Sequence, residues 1–388
     1  MNKIIIAAIL AVLPHTSFST YQPSLYFGEK EEEIIFPSPP IGSEKIFSKN
    51  KLNFISIDKN STQYIDIRAY GDSGWSWTHE SPAMIAEFGK ALDTFSPSGE
   101  IYQGDINFIN WESTIGYTCE QWHAPYVRGR SYAFLAEPEN IIQAIDRGIE
   151  NFALSNNHTR DCVQNIDTGM NGQLSTVQYL EEIKSSYPSL NFHGVSSEAD
   201  KNRIRLIKKK IKGVDLTIAF ASYYTGRDSC PHSVCAEDAD QIISNFKKIT
   251  ADLKILMIHT MSDQSKLVEV GSRFITEADG NIVFGSGPHR WKPIRHRNNS
   301  KGNAIIFDSL GNFLHPSMAA QSKNIIARIL IDPNSKKIAQ VQAISIRNEL
   351  NTVVPSEVSP TVIDSEFEFI SKDLISDEKS FKAMYFNF

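Results

Sequence analysis

The chain has 388 residues, with 39 Lys and Arg against 45 Asp and Glu, for a formal net charge of -6. That balance argues against a nucleic-acid partner, whose phosphates are held by an excess of positive charge. The apolar, aromatic and charged fractions of 41%, 10% and 22% are those of an ordinary soluble globular protein.

The N-terminus reads as a signal peptide over residues 1–19. Lys3 supplies the positive start, Ile4 to Leu13 is apolar, Pro14 ends the run, and Ser17-Phe18-Ser19 offers small residues for cleavage. A membrane crossing needs about 20 apolar residues. This run is shorter and no later segment qualifies, so no stable membrane span is expected. The mature protein is expected to be exported, periplasmic or extracellular. Residues 20–61 are rich in Pro, Ser, Lys and Glu, as in Glu31-Glu32-Glu33 and Pro37-Ser38-Pro39-Pro40. They read as a poorly ordered or surface-wrapping leader.

From residue 62 strands and helices alternate. Tyr64 to Tyr70, Asp105 to Trp111, Asn151 to Leu154 and Asn191 to Gly194 read as strands. Helices are expected over Ser81 to Asp93, with Ser81 as cap and Pro82 at the first position, and over Pro138 to Arg147 and Gln173 to Lys184. A hairpin follows, Arg203 to Ile211 and Asp215 to Tyr223 around Lys212-Gly213. The basic run Lys208-Lys209-Lys210 there reads as solvated charge. Helices at Ala239 to Thr250 and Lys266 to Glu277 then alternate with strands at Leu253 to His259, Ile282 to Gly285 and Ala304 to Asp308. Ile325 to Ile331 and Ala339 to Ile346 make a last hairpin around Pro333-Asn334-Ser335. Such alternation predicts a layered α/β domain over residues 62–348, an αββα sandwich with two mixed sheets. Residues 349–388, ending Tyr385-Phe386-Asn387-Phe388, are expected to dock on it as a tail.

Polar motifs follow the apolar runs. Gly71-Asp72, Asn110-Trp111-Glu112, Asn156-Asn157-His158, His259 and Pro288-His289 each stand at a strand end. If the strands lie side by side, these side chains converge at one sheet edge. Asp, Glu, Asn and His together suit one or two divalent transition metals, Mn, Zn or Fe. Singly, each has an ordinary reading as a turn residue or a buried or surface imidazole. Of the four cysteines, Cys119 and Cys162 follow the Glu112 and His158 strand ends, so a bridge between them is plausible if those ends are neighbours. Cys230 and Cys235 bracket a short segment that a second disulfide would close.

The ordered motifs, with Ser309-Leu310-Gly311-Asn312-Phe313 after them, resemble those of the CapA-type proteins of poly-γ-glutamate capsule synthesis. That family is similar to the calcineurin-like metallophosphoesterases. The resemblance covers roughly residues 62 to 348 and implies a metallophosphoesterase-like fold. It implies Asp72, Glu112, Asn157, His259 and His289 as metal ligands, with Glu112 bridging two ions. His158 would protonate a leaving oxygen and Asn110 would position groups or water. Arg128 and Arg290 would grip a carboxylate or phosphate. Gly287 stands where the family pattern has a histidine, and Thr260-Met261 replaces Trp-Gly after His259. One tight metal is therefore expected near Asp72, Glu112 and His289 and a weaker one near Asn157 and His259, with Gly287→His tightening the weaker site. His79, His123, His232, His296 and His315 are spare imidazoles, of which His123 and His315 could complete a depleted site. Two functions are compatible with these residues. One is a metal-dependent hydrolase or transferase acting on an anionic polymer or phosphoester in capsule biosynthesis. The alternative is a non-catalytic accessory protein with a degenerate metal site.

Overall fold

A computed structural model describes residues 64–74, 77–78, 87–123, 132–197, 201–226, 229–261, 263–315, 323–349, 352–357, 362–363 and 370–388. The signal peptide, the leader, the Ser81-Pro82 helix start and Arg128 lie outside the described residues.

Two mixed sheets face each other. In the first, strands Asn191–His193, Asn151–Ala153, Ile106–Trp111 and Ile65–Ser73 run parallel. Antiparallel strands Lys323–Ile331, Ile338–Glu349, Lys379–Asn387 and Ile370–Ser376 continue it. The second sheet holds Arg205–Ile211, Val214–Tyr224, Leu253–His259, Ile282–Ser286, Gly302–Phe307 and Ile294–Asn299, with the middle four parallel.

Side-chain alternation builds the layers. Ile65, Ile67 and Ala69 pack between the sheets with Phe108, Phe220, Ile255, Phe284 and Phe307. Tyr70, Ile109 and Trp111 face the other way, onto residues of helices Phe88–Phe95, Pro138–Ile145 and Gly172–Ser186. Ala219, Leu256 and Val283 of the second sheet likewise meet helices Ala239–Lys248 and Gln264–Ala278. The order is helix, sheet, sheet, helix, and each fully buried Ile or Phe contributes roughly 1.5–3 kcal/mol.

Local chemistry sets the element ends. Asn171 caps its helix by accepting from the Gln173 and Leu174 amides at 3.1 and 3.0 Å, and Asp263 caps the Gln264–Ala278 helix through Ser265 at 3.0 Å. Lys212 and Gly213 take positive φ (52° and 84°), the two-residue turn a tight hairpin needs. Buried Lys254 donates to the carbonyls of Phe246 and Ala278, the ends of two helices, at 2.8 and 2.7 Å.

Among the strands that went unread in the sequence, three belong to the two large sheets and are five residues or longer. Ile294–Asn299 has a single apolar residue, because its other side chains are only partly covered. Ile370–Ser376 and Lys379–Asn387 pair as a hairpin that extends the first sheet. Asp377 at its turn accepts from the Ser98 amide at 3.0 Å, tying the hairpin to the loop after helix Phe88–Phe95.

Cys119 and Cys162 are bonded, with Cα atoms 5.5 Å apart. The second expected bridge is not formed: Cys230 and Cys235 are buried free thiols packed with Tyr224. The bond closes a separation of 43 residues, so Cys162→Ser should cost about 3–4 kcal/mol by loop-closure entropy. Denaturant unfolding of the two proteins measures this; equal midpoints would show that the bridge does not constrain the unfolded chain. No helix among the described residues is long and apolar enough to cross a membrane.

Candidate metal centre

The site lies where the parallel strands of both sheets end. Strict alternation would send Asp72 to the same face as Tyr70. The register with the neighbouring strand slips between Tyr70 and Asp72. This bulge at Gly71 turns Asp72 toward the space between the sheets. Asn110 meets it there, its Nδ2 donating to Asp72 Oδ1 at 2.8 Å. Gly71 leaves no room for a Cβ, which would overlap the Gly311 carbonyl.

Glu112 and Asp72 are fully buried. His259, at the end of the second sheet's Leu253–His259 strand, is 2% exposed and reaches both. Its Nδ1 lies 3.5 Å from Asp72 Oδ1 and its Nε2 3.5 Å from Glu112 Oε1. Ser286 Oγ stands 3.0 Å from Nδ1. His289 approaches Asp72 Oδ2 at 3.4 Å from Nδ1. The same nitrogen donates to Asn312 Oδ1 at 2.7 Å, which leaves the Nε2 lone pair for a metal. His315, fully buried, brings Nε2 to 3.4 Å from Glu112 Oε2. His158 places Nε2 3.8 Å from Glu112 Oε1, while its Nδ1 donates to Asp161 Oδ2 at 2.5 Å.

Two ligand-grade groups result, each within 4.8 Å: Asp72, Glu112 and His259, and Glu112, His289 and His315. Glu112 belongs to both. Neither of its oxygens takes a hydrogen bond, and Asn157 Oδ1 is likewise buried with none. Burial, then the Asp72 and Asp161 carboxylates, push the Glu112 carboxyl well above its usual range, against a smaller opposing pull from the nearby Asn157 side chain. Asp72 behaves oppositely: burial raises it, but His259 and His289 outweigh burial and hold it well below. Burial keeps His259 and His315 low, so both are neutral imidazoles. Burial also works to lower His289, yet Asp72 and Asn312 hold it raised; its side chain is 40% exposed and so faces solvent. Carboxylate oxygens left without donors, beside neutral imidazole nitrogens, suit a divalent metal ion, and these residues fit such an ion.

The geometry thus brings together Asp72, Glu112, Asn157, His158, His259 and His289. Asn110 sits behind them, positioning Asp72 and lying 3.2 Å from His259 Nδ1. Arg290 is exposed next to His289. His315, left among the spare imidazoles, belongs at the centre. Asp161 and Asn312 went unnoticed. Asp161 had a signal, three residues after His158; Asn312 had only its place in the Ser-Leu-Gly-Asn-Phe run.

Gly287 is not a vacated ligand position. Its φ is +112°, its amide donates to Asp72 Oδ2 at 2.9 Å, and a Cβ there would overlap the Thr260 carbonyl. The expected ligand partition differs too, since His259 shares a group with Asp72 and His289 with His315.

The chain is similar to a phosphatase from Mycoplasma pneumoniae, at 12% identity and a TM-score of 0.45, covering 74% of this chain and 95% of that one. It is also similar to a hypothetical protein from Thermus thermophilus, at 9% identity and a TM-score of 0.43, covering 73% and 100%. No curated protein matches it. The family model for the bacterial capsule synthesis protein PGA_cap matches residues 69–317, well over half of the 388 residues, and the chain belongs to that family.

Proposed function

We propose that this protein is an exported, metal-dependent hydrolase or transferase that acts on an anionic envelope polymer, or a phosphoester joined to one, during capsule synthesis. The observation that carries this reading is Glu112: fully buried, with no hydrogen bond to either oxygen, between two groups of metal-ligating side chains. A carboxylate is not kept in that state without a cation to compensate it. Asp72, Glu112 and His259 would hold one ion, with Glu112, His289 and His315 holding the second and Asn157 offering its amide oxygen. A divalent ion there supplies Lewis acidity and an activated water.

The chain's own residues do the rest. His158 hands a proton from Nε2 to the leaving oxygen, and Asp161 fixes the orientation of the ring through its bond to Nδ1. Asn312 and Asn110 hold His289 and Asp72 in place. Arg290, exposed and next to His289 in sequence, would meet a carboxylate or phosphate of the incoming substrate. Export is supported by the sequence of residues 1–19 and by the Cys119–Cys162 bond, a feature of oxidising compartments.

The accessory reading drew its support from a ligand missing at Gly287. His315 beside Glu112 supplies another imidazole there, while the altered motif after His259 still favours the accessory reading. The direct test is turnover of a chromogenic phosphodiester by the mature protein: activity lost in Glu112→Gln supports the enzyme, and no activity with any of the three metals supports the accessory role. Asp161→Asn should lower kcat about 100-fold while metal content stays at the wild-type level. Loss of metal together with activity would instead make Asp161 a structural support of the centre.

A further inference from the structure

A second polar pocket lies at the end of strand Asn191–His193, lined by His193, Gly194, Ser196, Lys201, Arg203 and Arg205. His193 is 2% exposed. Its Nδ1 accepts the Ser222 backbone N–H at 2.9 Å. A backbone amide only donates, so Nδ1 is unprotonated, and a neutral ring then carries its proton on Nε2. The ring is neutral: burial, then the charge of Arg205, push it down to about 3, outweighing the opposing pull of the Ser222 and Arg203 backbones. Nε2 is buried; the Arg203 backbone lies close enough to pull on the ring, but no hydrogen bond of normal geometry reaches Nε2 among the described residues. A buried N–H left so costs about 1–3 kcal/mol, which an acceptor in the pocket would recover.

The surroundings give that acceptor a sign. Lys201 is neutralised by Glu237 and Asp238, each 2.9 Å away. The two arginines are not, since no carboxylate pairs with either among the described residues. Arg205 is aimed by its Nε bond to the Phe192 carbonyl at 3.0 Å and lies over the Phe192 ring at 5.3 Å. Arg203 is exposed at the rim. One buried N–H donor and two arginine forks suit the oxygens of an anion, not a sugar hydroxyl or a cation.

We propose that this pocket is an oxyanion site, taking a carboxylate or phosphate group on His193 Nε2 and the Arg203 and Arg205 guanidiniums, separate from the metal centre. It does not rest on the catalytic reading. His193 pairs in register with Ala153, three residues before Asn156, so one strand separates the pocket from the loop carrying His158. An extended polyanion could thus hold one group here while another lies at the centre.

The test is the imidazole N–H signal of His193 in nitrogen-labelled full-length protein, identified by its contact with the Ser222 amide. Inorganic phosphate and a glutamate tripeptide are the probes. A saturable shift of the Nε2–H resonance is expected with one of them at least, and which one responds tells phosphate from carboxylate. Arg203→Glu, at an exposed position, should weaken that response about tenfold or more. No shift with either probe, or a shift untouched by Arg203→Glu, would overturn the proposal and leave a buried water as the acceptor. Neither readout depends on metal, so a failed metal centre would not mimic a failed pocket.

Discussion

Glu112→Gln will raise the melting temperature of the metal-stripped protein and lower that of the metal-loaded one. Without metal, Glu112 is a buried carboxyl whose pKa is raised by burial and by Asp72 and Asp161. A raised acid contributes nothing adverse below its unfolded value, 4.5, and costs stability as pH climbs from there toward its folded value. At neutral pH the stripped wild type carries that cost, and glutamine, isosteric and neutral, removes it. The gain should be on the order of 2–3 kcal/mol, the scale of an uncompensated buried charge. With metal the sign reverses. An ion at 100 to 1,000 times its dissociation constant stabilises the wild type by about 3–4 kcal/mol. The variant, without the ligand common to both groups, forgoes this. Thermal melts with and without chelator measure both arms. A shift of the same sign in both states would mean that Glu112 is an ordinary core residue.

Gly287→Ala will unfold or severely destabilise the protein, and Gly287→His will not improve metal binding. A Cβ at residue 287 meets the backbone carbonyl of Thr260, which cannot rotate away, and φ of +112° strains any L side chain. Loss of the Gly287 amide's 2.9 Å bond to Asp72 would also free a ligand to turn. The combined cost should be about 3–5 kcal/mol. Chemical denaturation of Gly287→Ala, alongside the exposed control Gly213→Ala, checks it. Gly213 also has positive φ, at 84°, but nothing within 4 Å of its would-be Cβ, so the difference between the variants isolates the overlap. Equal losses would show that backbone strain alone acts and that the contact with Thr260 is relieved.

Much of the scaffold was legible because its strands alternate cleanly. Ile65, Ile67 and Ala69 announce a buried face, and the apolar run before His259 announces a strand covered on both sides. Spacing showed which residues stand at strand ends. It did not show which side of the sheet each one faces, and the Gly71 bulge decides that for Asp72. Spacing could not choose between His123 and His315 for a related reason: His315 follows a Gly311 turn that doubles the chain back beneath Asp72, through Asp72 N to Gly311 O at 2.9 Å and Phe313 N to Asp72 O at 2.8 Å. Gly287 looked like a loss because a family pattern counts side chains. Its contribution is a backbone N–H and the absence of a Cβ.

The most direct measurement of the central claim is elemental analysis of the mature protein purified without added chelator, beside Glu112→Gln prepared identically. The wild type should carry one to two equivalents of Mn, Zn or Fe per chain, and the variant next to none. A metal-free wild type, or equal metal in both, would contradict a metal centre built on Glu112.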